Sequence, residues 1–590
     1  MRKVTTDVLV IGAGPAGLVA TSILAMHGIS TLTIARHRGT AHVPRAHITN
    51  QRTMELFRDL GIEDRVRDVG YPLSMLCNNL VVTSLSGLEI ARFKSYGSAP
   101  ERLSDYAAAS PCTAVNAPQH VLDPVLLAST LERGADIRFM NELVHIEQTP
   151  DEVRAVVRER ESGTEYVVHA RYAIGADGAR SRVAEQLGLG LEGEAGLRGM
   201  ANSWLEVDLT KYTAHRPAVI YLVAQPGRDQ WFGTASWVNV RPWNEWSLLH
   251  PWNLDEGQPS EEAVLARARL TLGDPDLQIK VKAISTWQVN NVVATEYQKG
   301  RVFLAGDAAH RHPPTGGLGT NTSVQDSYNL AWKLAFVVAG RAGPGLLGSY
   351  GAERRPVGQH VVERAIKSWH NMAVLNKALG FEPDQSTEDG WAALRELYAD
   401  SPQASRRRKR FAEALKLQNY RANALGVELG QRYTSSAVVD DGTPFPEVQG
   451  DVDLYYQRTT HPGAYLPHAW VEHECRQIST LDLAGHGRFC LIVGIGGSSW
   501  AQAAVKASDE LCIDLPVFAI GLRCPYDDVL GDWTAIREVS DWGAILVRPD
   551  RHIAWRSMDM VESPADVLTS ALGQVLSVNS SGIGVRNHPG

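Results

Sequence analysis

The chain has 590 residues, of which 44% are hydrophobic and 21% are charged, and its formal net charge is -8. That length exceeds what one hydrophobic core organises, so the composition predicts a globular protein of several domains and excludes an intrinsically disordered one. The negative charge argues against a general binder of nucleic acid or of anionic membranes.

Cysteine placement and apolar runs indicate a reducing, aqueous compartment. The six cysteines are scattered and form neither a CxxC pair nor a Cys/His cluster at metal-ligand spacing. No apolar segment reaches the length of a membrane span before a charge or a proline/glycine cluster interrupts it. We therefore predict a cytoplasmic protein without a metal site and without a membrane or nucleic-acid partner.

The first elements of the chain are predicted to be a strand, a glycine-rich turn, a helix and a second strand. Residues 7–11 read DVLVI, an apolar run typical of a buried parallel strand. A helix of small residues follows at 15–27 and ends at Gly28, and residues 30–35 are again β-rich. This pattern predicts a βαβ unit.

The turn of this unit reads GAGPAG, a GxGxxG motif in which Pro15 and Ala16 separate the last two glycines. Gly12 permits a tight turn, Gly14 allows a pyrophosphate to approach the backbone, and Gly17 allows the helix to pack on the strand. The helix N-terminus presents oriented N–H groups to the phosphates. The motif therefore predicts a dinucleotide site.

The residue after the second strand departs from the usual dinucleotide pattern. An acidic side chain is expected there to hold the ribose hydroxyls, but the sequence reads ARHR from Ala35 to Arg38. Arg36 suits stacking on adenine or contact with a phosphate, and it is equally compatible with NADP. The first motif by itself leaves the nucleotide open.

The segment from 150 to 300 has a different pattern. Its β-rich stretches are separated by proline and glycine turns, and they lie at 152–158, 218–223 and 280–289. Such alternation predicts an antiparallel sheet, here forming the wall of a pocket. A DG dipeptide beginning with Asp177 follows a short predicted strand at 172–175.

A third string, RVFLAGDAAH at 301–310, is a short apolar strand that ends in Gly-Asp and runs on through PPTGGLGTN at 313–321. Asp307 at the strand end is suited to accept hydrogen bonds from a ribityl chain. The glycine-rich loop brings backbone N–H groups to the flavin edge that becomes anionic on reduction. This string predicts FAD, and its expected contacts are Pro314, Gly317, Gly319, Thr320 and Asn321.

The three strings together resemble the class A flavoprotein monooxygenases, the single-component FAD-dependent aromatic hydroxylases. Further strings are similar to the branch of that family that contains phenol 2-monooxygenase: PRAHITNQRTME from Pro44, PQ at 118–119, RPWNEW from Arg241 and ELGQRY from Glu428. This similarity extends over nearly the whole chain.

The resemblance implies an α/β fold with four parts. A Rossmann-type FAD-binding domain like that of para-hydroxybenzoate hydroxylase is expected at 1–180 with 285–370, and an antiparallel substrate-binding sheet at 181–284. A helical connecting segment at 371–440 leads to a thioredoxin-like domain at 460–590. That domain lacks CxxC, so it is expected to be structural or oligomeric, in a homodimer or homotetramer.

The resemblance also assigns roles to single residues. Arg45 is similar to the arginine that contacts FAD beside the path of its ring, and Gln119 to a ribityl contact. Asp177 would lie between FAD and the passing nicotinamide nucleotide. Arg241 would stabilise a phenolate or the charge that develops on the flavin.

The family chemistry implies a phenol as substrate. Flavin reduced by NADH or NADPH would react with O₂ to a C4a-hydroperoxide, which oxygenates an electron-rich ring, here ortho to its hydroxyl. A phenol has a pKa of about 10, so a base is needed at neutral pH. His47 is the predicted catalytic base, because histidine titrates in the right range and the family places this position beside the substrate.

Other interpretations remain open at this point. An epoxidase or a halogenase can have the same fold, although the WxWxIP string of the halogenases is absent from the sequence. A redox-inactive flavin-fold binding protein is disfavoured by the intact glycines and Gly-Asp string. His47 can also be a structural histidine.

Overall fold

A computed structural model describes residues 2–226, 234–382 and 384–578, and these form three large β-sheets with helices packed around them. The expected domain at 181–284 therefore includes residues 227–233, and that at 460–590 includes 579–590, which lie outside the described residues. Strands and helices are numbered here along the chain.

The first sheet contains the predicted βαβ unit and runs in the order β17-β18-β11-β1-β2-β8, with β10 and β9 added beside β11. Its central strands β18, β11, β1, β2 and β8 are parallel neighbours. The strands are β1 (Arg2–Ile11), β2 (Thr31–Ala35), β8 (Asp136–Phe139), β9 (Asn141–Gln148), β10 (Val153–Glu159), β11 (Glu165–Gly175), β17 (Gln298–Lys299) and β18 (Val302–Leu304).

The second sheet has the order β19-β16-β12-β15-β14-β13-β5-β6 and is antiparallel except where β13 pairs with β5. Its strands are β5 (Asn78–Val82), β6 (Glu89–Lys94), β12 (Leu191–Glu206), β13 (Ile220–Val223), β14 (Ala235–Arg241), β15 (Glu245–Pro251), β16 (Lys280–Ala294) and β19 (His310–Arg311). Strands β5 and β6 fall inside the range 1–180 and β19 inside 285–370, so both parts of the expected cofactor domain also contribute to this sheet.

The third sheet belongs to the C-terminal region and has the order β21-β20-β24-β23-β22-β25-β26. Its strands are β20 (Trp470–His473), β21 (Arg476–Ser479), β22 (Cys490–Val493), β23 (Val517–Gly521), β24 (Tyr526–Asp527), β25 (Ala544–Val547) and β26 (Ile553–Ser557). A small sheet joins β3 (Ile48–Thr49), β7 (Val115–Asn116) and β4 (Tyr71–Pro72).

The α-helices of the described residues fill the connections between these strands, and the segment 371–440 contains the end of α10 and the helices α11 to α14. They are α1 (Pro15–Met26), α2 (Gln51–Asp59), α3 (Glu63–Val69), α4 (Leu103–Ala109), α5 (Gln119–Glu132), α6 (Arg182–Leu187), α7 (Thr210–Thr213), α8 (Glu261–Leu272), α9 (Gly319–Val338), α10 (Gly348–Leu379), α11 (Thr387–Leu397), α12 (Pro402–Leu417), α13 (Asn419–Ala422), α14 (Leu425–Leu429), α15 (Ser498–Leu511) and α16 (Pro564–Val575).

One hydrophobic core joins the first sheet to the C-terminal region. Helices α1 and α9 cover the first sheet, and their buried side chains continue into those of β22, α15 and α16. Phe489 packs edge-on against Trp332 of α9, with ring centroids 5.7 Å apart. The predicted α/β fold class is confirmed. None of the helices in the described ranges combines the length and apolar character needed to cross a membrane.

Candidate active site

The GxGxxG loop lies between β1 and α1, as the sequence predicts. Gly12 has a backbone φ of +117°, and a Cβ atom on it would overlap the backbone oxygen of Ala176. A Cβ on Gly17 would overlap the Gly12 carbonyl, so α1 packs directly on the turn. Gly14 has open space beside it, and Pro15 opens the helix. These residues leave a groove at the N-terminus of α1 that a pyrophosphate would fill.

Arg36 follows β2 at the edge of this groove and is partly exposed. Its Nε donates to Nε2 of His37 at 3.3 Å, and its backbone oxygen accepts from Arg160 at 2.8 Å. The side chain is thus free of buried partners in the described structure, in keeping with the expected contact to adenine or phosphate.

The Gly-Asp turn follows β18 and faces the same groove. Asp307 is solvent-accessible, yet protein surrounds it so closely that burial raises the pKa of its carboxyl, an effect that His310, Arg311 and Arg45 only partly oppose. A side chain on the wall of an internal cavity has accessible surface and is nevertheless desolvated by the protein around it. Among the described residues the carboxylate accepts no hydrogen bond.

Arg45 shows the same combination as Asp307. It is exposed by surface area, while burial lowers the pKa of its guanidinium and the charge of Asp307 opposes that change. The backbone oxygen of Arg45 accepts from the N–H of Gln119 at 2.8 Å, so the two predicted flavin contacts are neighbours. Nε2 of Gln119 donates to Asp123 at 3.1 Å. Burial raises the pKa of Asp123 to about 7.

The loop 313–321 is tied to the segment after His47. Asn321 is buried; its Nδ2 donates to the backbone oxygens of Ile48 and Gly317, and its Oδ1 accepts from the N–H of Asn50 at 3.1 Å. Gly317 has a φ of +69° and lies against Ile48. Gly319 begins α9, with Thr320 partly exposed beside it and Pro314 exposed at the loop tip.

Asp177 shapes the DG turn through hydrogen bonds at the start of α6. Its carboxylate accepts from the hydroxyl of Ser181 at 2.6 Å and from the N–H of Arg182 at 2.7 Å, at the start of α6. Burial nevertheless raises the pKa of its carboxyl. The hydrogen bonds shape the DG turn on which Gly12 packs, so any contact with a nucleotide would come from the same turn.

His47 lies in the loop before β3. The N–H of Ala117 donates to its backbone oxygen at 2.8 Å. Burial lowers the pKa of its imidazole to about 4, although a hydrogen bond to the backbone carbonyl of Asn239 opposes that change. Nδ1 has no partner within the described part of the chain. His47 is therefore neutral at neutral pH, and its pKa lies below the near-neutral range on which its prediction as the catalytic base was based.

One face of the second sheet lies against the loop of residues 44–47. Cross-strand pairing places Asn202 of β12, Leu249 of β15 and Ser236 of β14 in one row. Nδ2 of Asn202 donates to the backbone oxygen of Pro44 at 2.9 Å. Leu249 is partly accessible although it lies on an inner strand, which indicates a cavity between the sheet face and the 44–47 loop.

Polar atoms on this face lack partners. Oδ1 of Asn202 and the hydroxyls of Ser236 and Ser247 are buried without a hydrogen bond to any described residue. Buried polar groups are normally paired, so water or a ligand is expected to satisfy them. These residues were missed in the sequence, because only the register of three strands shows that they share a face.

Arg241 is at the outer rim of the second sheet, not inside this cavity. It is exposed at the end of β14, pairs in register with Glu245 and lines an open surface depression with Glu206 and Lys280. Burial lowers the pKa of His120, and the charge of Arg241 adds to that effect. Its role towards a negative charge stays a prediction.

A possible cation site was not foreseen in the sequence. Asp440, Asp441 and His461 bring three ligand-type atoms within 4.8 Å of one another, and no ion is present. The guanidinium of Arg556 already pairs with Asp441 at 2.5 Å. A neutralised carboxylate is a poor ligand, so nothing here points to a bound metal.

The open groove at Gly14, the desolvated Asp307 and the nearby Arg45 fit FAD. Residues 5–365 match the FAD binding domain family, and residues 459–577 match the aromatic-ring hydroxylase C-terminal family. The chain belongs to the FAD-dependent aromatic-ring hydroxylases, which are flavoprotein monooxygenases. The predicted family and the predicted FAD cofactor are confirmed.

The curated relatives cover nearly the full chain. 2,4-Dichlorophenol 6-monooxygenase of Delftia acidovorans is 44% identical over 98% of this chain and 99% of its own length. Phenol 2-monooxygenase of Pseudomonas sp. (strain EST1001) is 41% identical over 96% of this chain and 92% of its own length. Epoxidase, halogenase and redox-inactive alternatives are not favoured by these relatives.

A solved structure shares the whole fold. The crystal structure of the flavin-dependent monooxygenase PieE in complex with FAD and substrate superposes with a TM-score of 0.95, at 44% identity, over 98% of this chain and 100% of that one. Aklavinone-11 hydroxylase, in a ternary complex with FAD and aklavinone, superposes with a TM-score of 0.79 at 28% identity.

Proposed function

We propose that this enzyme hydroxylates a substituted phenol ortho to its hydroxyl group, using O₂ and NADH or NADPH. The observation that carries the proposal is His47, a neutral imidazole in the loop between Arg45 and β3, opposite the sheet face whose Asn202 binds the backbone of Pro44. The names of the curated relatives, a dichlorophenol and a phenol monooxygenase, support the substrate class.

His47 acts as the base in this proposal. Because the imidazole is neutral at neutral pH, one of its ring nitrogens is unprotonated. That nitrogen takes the phenol proton as the phenol reacts, which raises electron density at the ortho carbon. Bound FAD supplies the activated oxygen.

The residues around the groove are assigned to the parts of FAD in this proposal. Gly12, Gly14, Pro15, Ala16 and Gly17 hold the pyrophosphate, and Arg36 holds the adenine end. Asp307 and Gln119 hold the ribityl chain, and Arg45 lies beside the ring. The 314–321 loop supplies N–H groups to the pyrimidine edge, and Asp177 borders the nicotinamide path.

The sheet face provides the remaining substrate contacts. Asn202, Ser236 and Ser247 offer a carbonyl oxygen and two hydroxyls among apolar neighbours such as Leu249 and Val238. A phenol with a second polar substituent would satisfy them, whereas an unsubstituted ring would leave them to water. Arg241 lies at the rim of the sheet, outside the cavity, and its positive charge would stabilise a bound phenolate anion at a distance.

Assembly and compartment are part of the proposal. Exposed apolar side chains of the C-terminal region, including Ile495, Leu522 and Leu530, support a homodimer or homotetramer. Six free cysteines, two of them exposed, support a reducing cytoplasm. Light scattering on the purified protein measures the assembly, and a monomer would contradict it.

The function is tested with the purified holoenzyme and a panel of substituted phenols. NADH and NADPH consumption, O₂ uptake and the hydroxylated product are measured for each phenol. We expect stoichiometric catechol formation with at least one phenol and strong preference among substituents. Nucleotide oxidation that gives only hydrogen peroxide across the panel would contradict the phenol assignment.

A further inference from the structure

Asp326 of α9 holds the Gly-Asp turn at both ends. Its Oδ2 accepts from the N–H of Gly306 at 3.1 Å, immediately before Asp307. The same oxygen accepts from Nε2 of His310 at 2.8 Å, three residues after Asp307. Asp326 is completely buried. One carboxylate oxygen therefore binds the backbone N–H before Asp307 and the side chain of His310 after it.

This clamp matters because hydrogen bonds to the turn, and not to the Asp307 carboxylate itself, hold Asp307 in place. Its carboxylate accepts no hydrogen bond in the described structure and borders the cavity. The direction in which it points is therefore set by the backbone of the turn. Loss of the clamp would let the carboxylate move away from a ribityl hydroxyl, with a cost to FAD binding.

Asp326 is itself held by a buried arginine. Nε of Arg354 in α10 donates to Oδ1 of Asp326 at 2.8 Å, and neither side chain is exposed. Nη1 of Arg354 donates to the hydroxyl of Tyr433 at 3.0 Å and to Oε1 of Gln431 at 2.7 Å. The arginine thus links the cofactor helix to the segment that precedes the C-terminal sheet.

Tyr433 is held in turn by the C-terminal region. Its ring stacks on His552, with centroids 3.9 Å apart and planes 22° apart. Its backbone N–H donates to the oxygen of Gly463 at 2.9 Å. Both rings are nearly inaccessible to solvent. A continuous row of packed and hydrogen-bonded groups therefore runs from His552 to the Gly-Asp turn.

A second buried connection ties the same helix to the same region. Nζ of Lys333 in α9 donates to Oε2 of Glu353 at 2.7 Å, and Arg548 and Asp550 complete the ion cluster. All four side chains are buried. Buried charges are stable only when their partners are held in place. The region around α9 and the C-terminal region are therefore expected to move as one body.

We propose that the C-terminal domain positions FAD through the row His552–Tyr433–Arg354–Asp326, in which Asp326 is the positioning residue for the Gly-Asp turn. The domain has no CxxC pair. The C-terminal domain contributes to FAD binding by keeping Asp307 in a fixed position. The role does not depend on which phenol the enzyme oxidises.

The test compares FAD dissociation constants, measured by flavin fluorescence on full-length apoprotein titrated with FAD. Tyr433→Phe removes only the hydroxyl that accepts from Arg354 and keeps the stack on His552. We expect its dissociation constant to rise roughly threefold or more, and that of Asp326→Asn about tenfold or more, as for loss of a buried hydrogen bond to a charged group. His552→Ala should raise the constant in the same direction.

The matched control is Tyr456→Phe, which removes a hydroxyl that has no partner among the described residues and lies outside the row. Its dissociation constant should stay within about twofold of the parent. Unfolding temperatures of the four apoproteins separate positioning from general destabilisation. An unchanged FAD constant in both Tyr433→Phe and His552→Ala overturns the proposal, even if Asp326→Asn fails to fold.

Discussion

Gly12 and Ala176 approach so closely that a Cβ atom on Gly12 would overlap the Ala176 backbone oxygen. The contact joins the GxGxxG turn to the DG turn at the ends of two neighbouring parallel strands. The N–H of Ala176 donates to the oxygen of Ile11 at 2.8 Å, and that of Gly12 to the oxygen of Ile34 at 2.8 Å. Two of the three FAD-family strings are therefore one structural unit.

Gly12→Ala should displace this unit. The substitution meets both a backbone oxygen and a left-handed φ, so the turn has to shift and FAD should be lost from most of the protein. Flavin absorbance per chain after gel filtration measures the loss. Gly351→Ala is the control, because that glycine lies in α10 with open space beside it. Full flavin retention in Gly12→Ala would contradict this account of the turn.

Asp307→Ala should release FAD without unfolding the chain. The side chain has no partner in the described structure, so its removal leaves the packing intact and deletes only the expected ribityl acceptor. We expect at least a tenfold rise in the FAD dissociation constant, with an unchanged far-UV circular dichroism spectrum. Flavin content equal to that of the parent would disprove the assigned contact.

His47→Ala should keep FAD and lower hydroxylation by about a hundredfold, as for a lost general base. Flavin reduction need not fall in parallel, so hydrogen peroxide should become a larger share of the product. Phenols of low pKa arrive ionised, and the deficit should shrink for them. Product and peroxide are measured across phenols of graded pKa. An equal loss for all of them would make His47 a structural residue.

The C-terminal cysteines should be dispensable for turnover. Cys512 is exposed and Cys524 partly so, and both can be changed to Ser with little effect on activity or unfolding temperature. Cys490 is buried in β22, and burial raises the pKa of its thiol to about 12. Cys490→Ser should lower the unfolding temperature, since a hydroxyl is placed in an apolar core. If the variant with all three cysteines changed to Ser folds but loses all turnover, this domain takes part in redox chemistry.

Stability should fall as the pH drops from about 6.5 to about 4. Burial lowers the pKa of six histidines to about 4: His27, His47, His250, His312, His468 and His552. At these six positions the unfolded chain binds more protons than the folded one in this window, so they make the free energy of unfolding rise with pH. Asp123 and Glu428, whose pKa values burial raises to about 7 and about 8, act in the opposite direction and reduce the slope. Each pKa unit is worth about 1.4 kcal/mol.

Denaturant unfolding at pH 7.5, 6 and 5 measures this dependence. His468→Gln, in the C-terminal region and away from the flavin groove, should reduce the slope by about one proton. A pH dependence that is the same in His468→Gln and in the parent would show that His468 is not buried in the neutral form.

Short-range patterns in the sequence were enough to predict much of the cofactor site. The DVLVI run, the GxGxxG turn and the Gly-Asp string are each local, because neighbouring residues form the strand end, the turn and the helix start together. They predicted β1, α1, β2 and β18, and the family resemblance they carry predicted FAD. The residue roles drawn from that resemblance stay predictions.

Tertiary structure decided what lies far apart in sequence. Asp326 meets Arg354 and His310 only because α9 and α10 pack together, and His552 reaches Tyr433 only because the C-terminal sheet shares their core. The face shared by Asn202 and Ser236 depends on strand register. Residues 78–94 form two strands of the second sheet, although they fall within the range 1–180 that was predicted to be part of the FAD-binding domain. The sequence alone determined the local turns that bind a cofactor, because their geometry depends on adjacent residues. Only the fold decided which buried groups hold those turns in place, because such contacts form between segments that the chain order keeps apart.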